Sequence, residues 1–94
     1  MHQNLKICIV DDHALLRSGI RMTLHHYPQF EVVGEASNGE EALRLATHFK
    51  PDVMILDISM PEPNGLEVCR ELAKTQPEID IIILSMYLQE EYIS

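Results

Sequence analysis

Tryptophan is absent, and three Tyr and two Phe are all the aromatic residues, so the chain has no stacking platform for bases or sugars. Cationic side chains are also scarce. Lys and Arg total 7 against 15 Asp and Glu, a formal net charge of −8. That excess repels phosphate backbones and anionic lipid, because nucleic-acid binding needs a cationic footprint. Neither direct nucleic-acid contact nor membrane contact is therefore expected. Only two cysteines occur, Cys8 and Cys69, far apart inside apolar patterns. They read as small buried hydrophobes of a reducing compartment, and no spacing signal supports a disulfide. No apolar run approaches the ~18 residues of a membrane span. The first ten residues carry one Lys and no small-residue cleavage site, unlike a signal peptide. Linkers, low-complexity stretches and solenoid repeats are missing as well. A soluble, cytoplasmic chain of 94 residues with one core at most is the expectation.

What is there is an alternation. Nearly continuous apolar runs at Leu5–Val10, Val53–Leu56 and Ile79–Leu84, and a weaker one at Phe30–Ala36, suit strands buried on both faces of a parallel sheet. Helical periods lie between them. Leu16, Ile20 and Leu24 follow Asp12, a candidate N-cap, and Tyr27-Pro28 stops that helix. The second helix opens at Asn38 with Glu41 as capping-box partner, turns Ala42, Leu45, Ala46 and Phe49 inward, and ends at Pro51. The third opens at Asn64 with Glu67, carries Leu66, Cys69, Leu72 and Ala73 on its apolar stripe, and ends at Pro77. A fourth begins near Gln89. Strand–helix repetition at ~25-residue spacing implies right-handed parallel crossovers, hence an α/β fold of four strands with helices on both faces.

Ligands of such sheets bind outside the carboxyl ends of the strands. There the sequence sets Asp11-Asp12 after the first run, Asp57 after the third and Ser85 after the last. Neighbouring first and third strands would bring three carboxylates into one cleft. Mutual repulsion makes such a cluster costly unless a hard cation neutralises it. Mg²⁺ fits best, taking oxygen ligands and a substrate phosphate oxygen. Zinc is disfavoured, with no His or Cys expected at ligand spacing. His13 is expected to point to solvent, and His2, His25, His26 and His48 read as surface or helix-end residues. Met54, Met60 and Met86 read as packing, and Arg17 and Arg21 as a solvated helix face. With Mg²⁺ bound, one carboxylate can attack a phosphoryl group to give an acyl phosphate while the others hold the metal. The Ser85 hydroxyl could then bond to the phosphoryl oxygens and couple chemistry to the surface.

These residues resemble the receiver domain of two-component response regulators: Asp11-Asp12, Asp57 followed by Met60-Pro61, Asn64-Gly65, and Ser85. The stretches Val10-Asp11-Asp12-His13, Gly34-Glu35-Ala36, Asn38-Gly39-Glu40-Glu41-Ala42 and Leu84-Ser85-Met86-Tyr87 are most similar to the NarL/FixJ (LuxR-type) subfamily. The resemblance covers the whole chain. It implies a flavodoxin-like (CheY-like) doubly wound parallel sheet, here of order 2-1-3-4. It also implies that Asp57 accepts a phosphoryl group from a sensor histidine kinase, to control a DNA-binding output domain. Mg²⁺ would be held by Asp12, Asp57 and the backbone carbonyl of Ser59, with Asp11 acting through water and Ser85 as the switch hydroxyl. Pro61 would fix a backbone angle, and Gly65 would permit close approach at the start of the third helix. Tyr87 and Tyr92 would lie near the partner-binding face.

Receivers of this kind continue through a fifth strand bearing a Lys, and a fifth helix, and in this subfamily a helix-turn-helix domain follows. Residues 1–94 are therefore expected to be a receiver incomplete at its C-terminus, without an effector domain. Slower phosphorylation follows from that expectation. A second reading is a non-catalytic interaction module, a homodimer through an exposed fourth strand or fourth helix. A third, a phosphatase or mutase with an Asp nucleophile, is disfavoured. Such enzymes place an acid two residues after the nucleophile, where this chain has Ser59.

Overall fold

The computed structural model describes residues 4–61 and 63–84. Its elements run β1 (Leu5–Val10), α1 (Ala14–His25), β2 (Phe30–Ala36), α2 (Gly39–Phe49), β3 (Val53–Asp57), α3 (Gly65–Thr75) and β4 (Asp80–Leu84). The strands form one parallel sheet in the order β2-β1-β3-β4, the doubly wound α/β arrangement expected from the sequence. Ser85, Met86, Tyr87, Tyr92, His2 and the helix expected near Gln89 lie outside the described residues.

β1 sits between two strands and is apolar on both faces, as its unbroken run requires: Ile7, Cys8, Ile9 and Val10 are all buried. Alternation sends them two ways. Cys8 and Val10 join Met54 and Leu56 of β3, Ala42 and Ala46 of α2, and Val68 and Leu72 of α3 in one core. Ile7 and Ile9 face the other side of the sheet, where α1 packs on β1 and β2. Met54 and Met60 are both core residues. Cys8 and Cys69 are free thiols, and burial pushes that of Cys8 up to about 11, leaving it protonated and inert.

Several local expectations need correction. The N-cap of α1 is His13, not Asp12, and it makes no side-chain cap bond, because the Asp12 and His13 side chains meet each other instead. Asn38 does cap α2 through the Glu41 N–H, but the Glu41 carboxylate accepts from the Ser37 N–H and hydroxyl, so the box is not closed. Phe49 does turn inward, its ring edge over Gly34 of β2, yet at the end of α2 it stays 37% exposed, edge-on to His48. In α3 the Asn64–Glu67 box is complete, yet the buried stripe is Gly65, Val68 and Leu72, with Leu66 and Ala73 exposed. β4 is not doubly buried. Among the described residues it pairs only with β3, and Ile82 and Ile83 are exposed.

Candidate functional site

The register that pairs Val10 with Leu56 aligns the carboxyl ends of β1 and β3, so Asp11 and Asp57 emerge side by side. Backbone contacts fix Asp11: its N–H donates to the Ala36 carbonyl at 3.0 Å, and its carbonyl accepts from the Arg17 guanidinium at 2.6 Å. Asp57 ends β3 and pairs with Leu84, while the next N–H, of Ile58, donates to the Leu84 carbonyl at 3.2 Å. Gly65 lets α3 start directly against that strand end. A Cβ there would lie 2.6 Å from the Asp57 carbonyl oxygen and 2.9 Å from the Ile58 Cα. The close approach expected of Gly65 is thus what its surroundings require.

The three carboxylates expected from the sequence do converge. Asp11, Asp12, Asp57 and also His13 each offer one ligand atom, all within 4.8 Å of one another. Asp11 and Asp57 are buried, whereas Asp12 and His13 lie at the mouth. Asp57 Oδ1 accepts from the Ser59 N–H at 2.9 Å and from its hydroxyl at 2.7 Å. Ser59 thus contacts Asp57 through its N–H and hydroxyl. Asp11 Oδ1 accepts from the His13 N–H at 2.7 Å, while Asp11 Oδ2 is buried with no hydrogen-bond partner. An orphaned carboxylate oxygen beside a second buried carboxylate is costly unless a cation satisfies it. The donor set is dominated by hard oxygens, which suits an oxygen-preferring divalent ion.

The expectation that His13 faces solvent is overturned. Its Nδ1 lies 2.9 Å from Asp11 Oδ1, 3.1 Å from Asp12 Oδ1 and 3.8 Å from Asp57 Oδ2. Because carboxylates only accept, Nδ1 carries the proton. The hydrogen bond to Asp11, and then the charge of Asp12, raise the imidazole pKa above its ordinary value. The statement that no His stands at ligand spacing falls with it. Its signal was adjacency to the acid pair. The solvated face expected of Arg17 and Arg21 holds for Arg21, which is exposed, while Arg17 is half-buried, and both meet a carboxylate. Arg17 Nε lies 3.3 Å, and an Arg21 terminal nitrogen 2.7 Å, from the Glu35 carboxylate on β2. Ser85, expected at the end of β4, lies outside the described residues.

Residues 7–94 match the response regulator receiver domain family, and the chain belongs to it. It is 39% identical over 90 residues to the transcriptional regulatory protein DegU of Brevibacillus brevis, a match covering 96% of this chain and 38% of that protein. The oxygen regulatory protein NreC of Staphylococcus aureus is 42% identical over 90 residues, covering 95% of this chain and 42% of its own length. Among solved structures, the isolated receiver domain of RcsB from Salmonella enterica serovar Typhimurium, determined with phosphomimetic BeF3⁻, superposes with a TM-score of 0.83 at 29% identity. That match covers 89% of this chain and 63% of RcsB's. The chain therefore spans about two fifths of the length of these curated relatives. Its fold is the receiver fold of two-component response regulators, and its relatives are regulators of the NarL and DegU type.

Proposed function

We propose that this chain is a phosphorylation-dependent signalling receiver in which Asp57 takes a phosphoryl group from a sensor histidine kinase. The observation that carries the reading is the pairing of a buried Asp57 with the buried, half-satisfied carboxylate of Asp11 at the carboxyl edge of the sheet. Asp11, Asp12 and Asp57, with the backbone carbonyl of Ser59, would hold Mg²⁺. When bound, Mg²⁺ neutralises the carboxylates and the incoming phosphoryl oxygens, so that a carboxylate can act as nucleophile.

An Asp57 carboxylate oxygen attacks phosphorus, the P–O bond of the acyl phosphate forms and the P–N bond to the kinase histidine breaks. The departing imidazole keeps the electron pair of that bond and takes up a proton from water. Ser59 orients the Asp57 carboxylate by donating to Oδ1 from both its N–H and its hydroxyl. Arg17 donates to the Asp11 carbonyl and so helps to hold the backbone at the end of β1. Ser85 is assigned the switch hydroxyl.

Acetyl phosphate supplies the same phosphoryl group without a kinase. Incubated with it and Mg²⁺, the chain should gain one phosphoryl group by intact mass, and neither Asp57→Asn nor the unsubstituted chain with a chelator should gain any. Label that persists in Asp57→Asn, or a folded unsubstituted chain that neither gains mass nor binds BeF3⁻, would refute the assignment.

A further inference from the structure

Mg²⁺ is given to the carboxylates by the reading above, on which this inference rests, yet that reading leaves the His13 ring without a task. The ring N–H occupies the same acceptors that a cation needs. Nδ1 is within hydrogen-bond distance of Asp11 Oδ1 and Asp12 Oδ1, and faces Asp57 Oδ2 at 3.8 Å. One oxygen lone pair cannot serve both a donor N–H and a metal ion. The second buried oxygen of Asp11 stays without a partner even with the ring in place, so His13 satisfies the cluster only in part.

The ring is also free to leave. Its side chain is 58% exposed. It makes no capping bond to α1, and the backbone N–H of His13 holds Asp11 independently at 2.7 Å. Rotation of the ring into solvent therefore costs the imidazole contacts and no core packing.

We propose that the His13 imidazole is an intramolecular competitor for the cation site, a gate that must swing out before Mg²⁺ binds and that thereby sets the metal affinity of the receiver. A binding-competent state populated for only a fraction of the time weakens apparent affinity by that fraction. Removing the ring should accordingly tighten binding. The assignment differs from that of a ligand, because a ligand's removal weakens binding.

The test is magnesium titration by calorimetry of the unsubstituted chain and of His13→Ala, alongside NMR of the His13 ring in the unsubstituted chain. The dissociation constant of His13→Ala should fall by about three- to tenfold. Saturating Mg²⁺ should move the His13 ring signals to those of an exposed histidine such as His25. Equal affinities, or ring signals unmoved at saturation, overturn the gate and leave the receiver reading intact. Weaker binding by His13→Ala makes the ring a ligand and overturns it too. Absence of magnesium binding in both chains, with both folded by circular dichroism, removes the receiver reading along with the gate. Should His13→Ala lose its helical signal, the ring resonances of the unsubstituted chain decide the matter alone.

Discussion

On one face of the sheet, α2 and α3 press Ala42, Ala46, Val68 and Leu72 into a shared core with Cys8, Val10, Met54 and Leu56. On the other, α1 has no fully buried residue; Leu16, Ile20 and Leu24 are half-buried and Leu15 and Met22 stand in solvent. The helix ends differ in the same sense. Asn38 and Asn64 cap α2 and α3 with side-chain bonds, whereas α1 begins at a residue whose side chain is spent on the acidic cluster. What α1 has instead is polar: Arg17 and Arg21 converge on Glu35, and Arg17 also holds the Asp11 carbonyl. One face thus carries stability through apolar burial. The other carries the helix that positions the site, through contacts that can be altered without opening the core.

The sharpest way to break this contrast is one chemical change made on both sides. Leu72→Ala removes a side chain that is 1% exposed and should cost about 2–5 kcal/mol, for lost transfer energy and the cavity left behind. Leu15→Ala, at 87% exposure, should stay within about 0.5 kcal/mol. Urea unfolding of the two variants measures both, and similar costs would mean that α1 is buried in solution.

How far the sequence carried the reading follows the same division. The strands and the three carboxylates at their ends were legible, because doubly buried strands read as apolar runs and Asp11, Asp12 and Asp57 stand directly after two of them, whereas the sheet order came from the family resemblance. The phase of α3 was not. Leu66, Cys69 and Leu72 fit a helical stripe as well as Gly65, Val68 and Leu72 do, and the choice is made by Gly65 docking under Asp57, a tertiary contact. His13 escaped for a related reason. An N-cap side chain lies off the helix face, so periodicity says nothing of its direction, and one of its partners arrives on another strand. Glu35 lies 18 and 14 residues from the arginines it pairs, joined to them only by the crossover from α1 to β2.

The capping difference gives a smaller effect. Asn64 accepts from the Glu67 N–H at 3.0 Å while the Glu67 carboxylate accepts from the Asn64 N–H at 3.0 Å. Asn64→Ala removes the side-chain acceptor of the Glu67 N–H while keeping the backbone N–H that donates to Glu67, and should cost about 1 kcal/mol. Because Gly65 follows it against Asp57, amide exchange should speed up first at Glu67 and Val68 and not in α1. Exchange that quickens equally in α1 would show that the two faces unfold together.

Smaller again is the polar tether. Glu35→Gln removes the charge that Arg17 and Arg21 share, in a site about a quarter exposed, and should cost about 0.5–1 kcal/mol, diminishing as salt is raised. A loss that salt leaves unchanged would assign α1's attachment to packing after all.

The weakest effect is a pH dependence at the start of α2. The Ser37 backbone N–H and hydroxyl both donate to Glu41, holding its carboxyl below the ordinary glutamate value of about 4.3. A depressed folded-state pKa means that the folded chain binds fewer protons than the unfolded one around that value. Its stabilisation is therefore fully present above about pH 4.3 and is lost as pH falls through the folded-state pKa. Glu41→Gln should accordingly be slightly less stable than the unsubstituted chain at neutral pH and equal to it in strong acid. A stability gap between the two chains that persists unchanged into strong acid would mean that Glu41 acts through packing of its methylenes rather than through the charge held by Ser37.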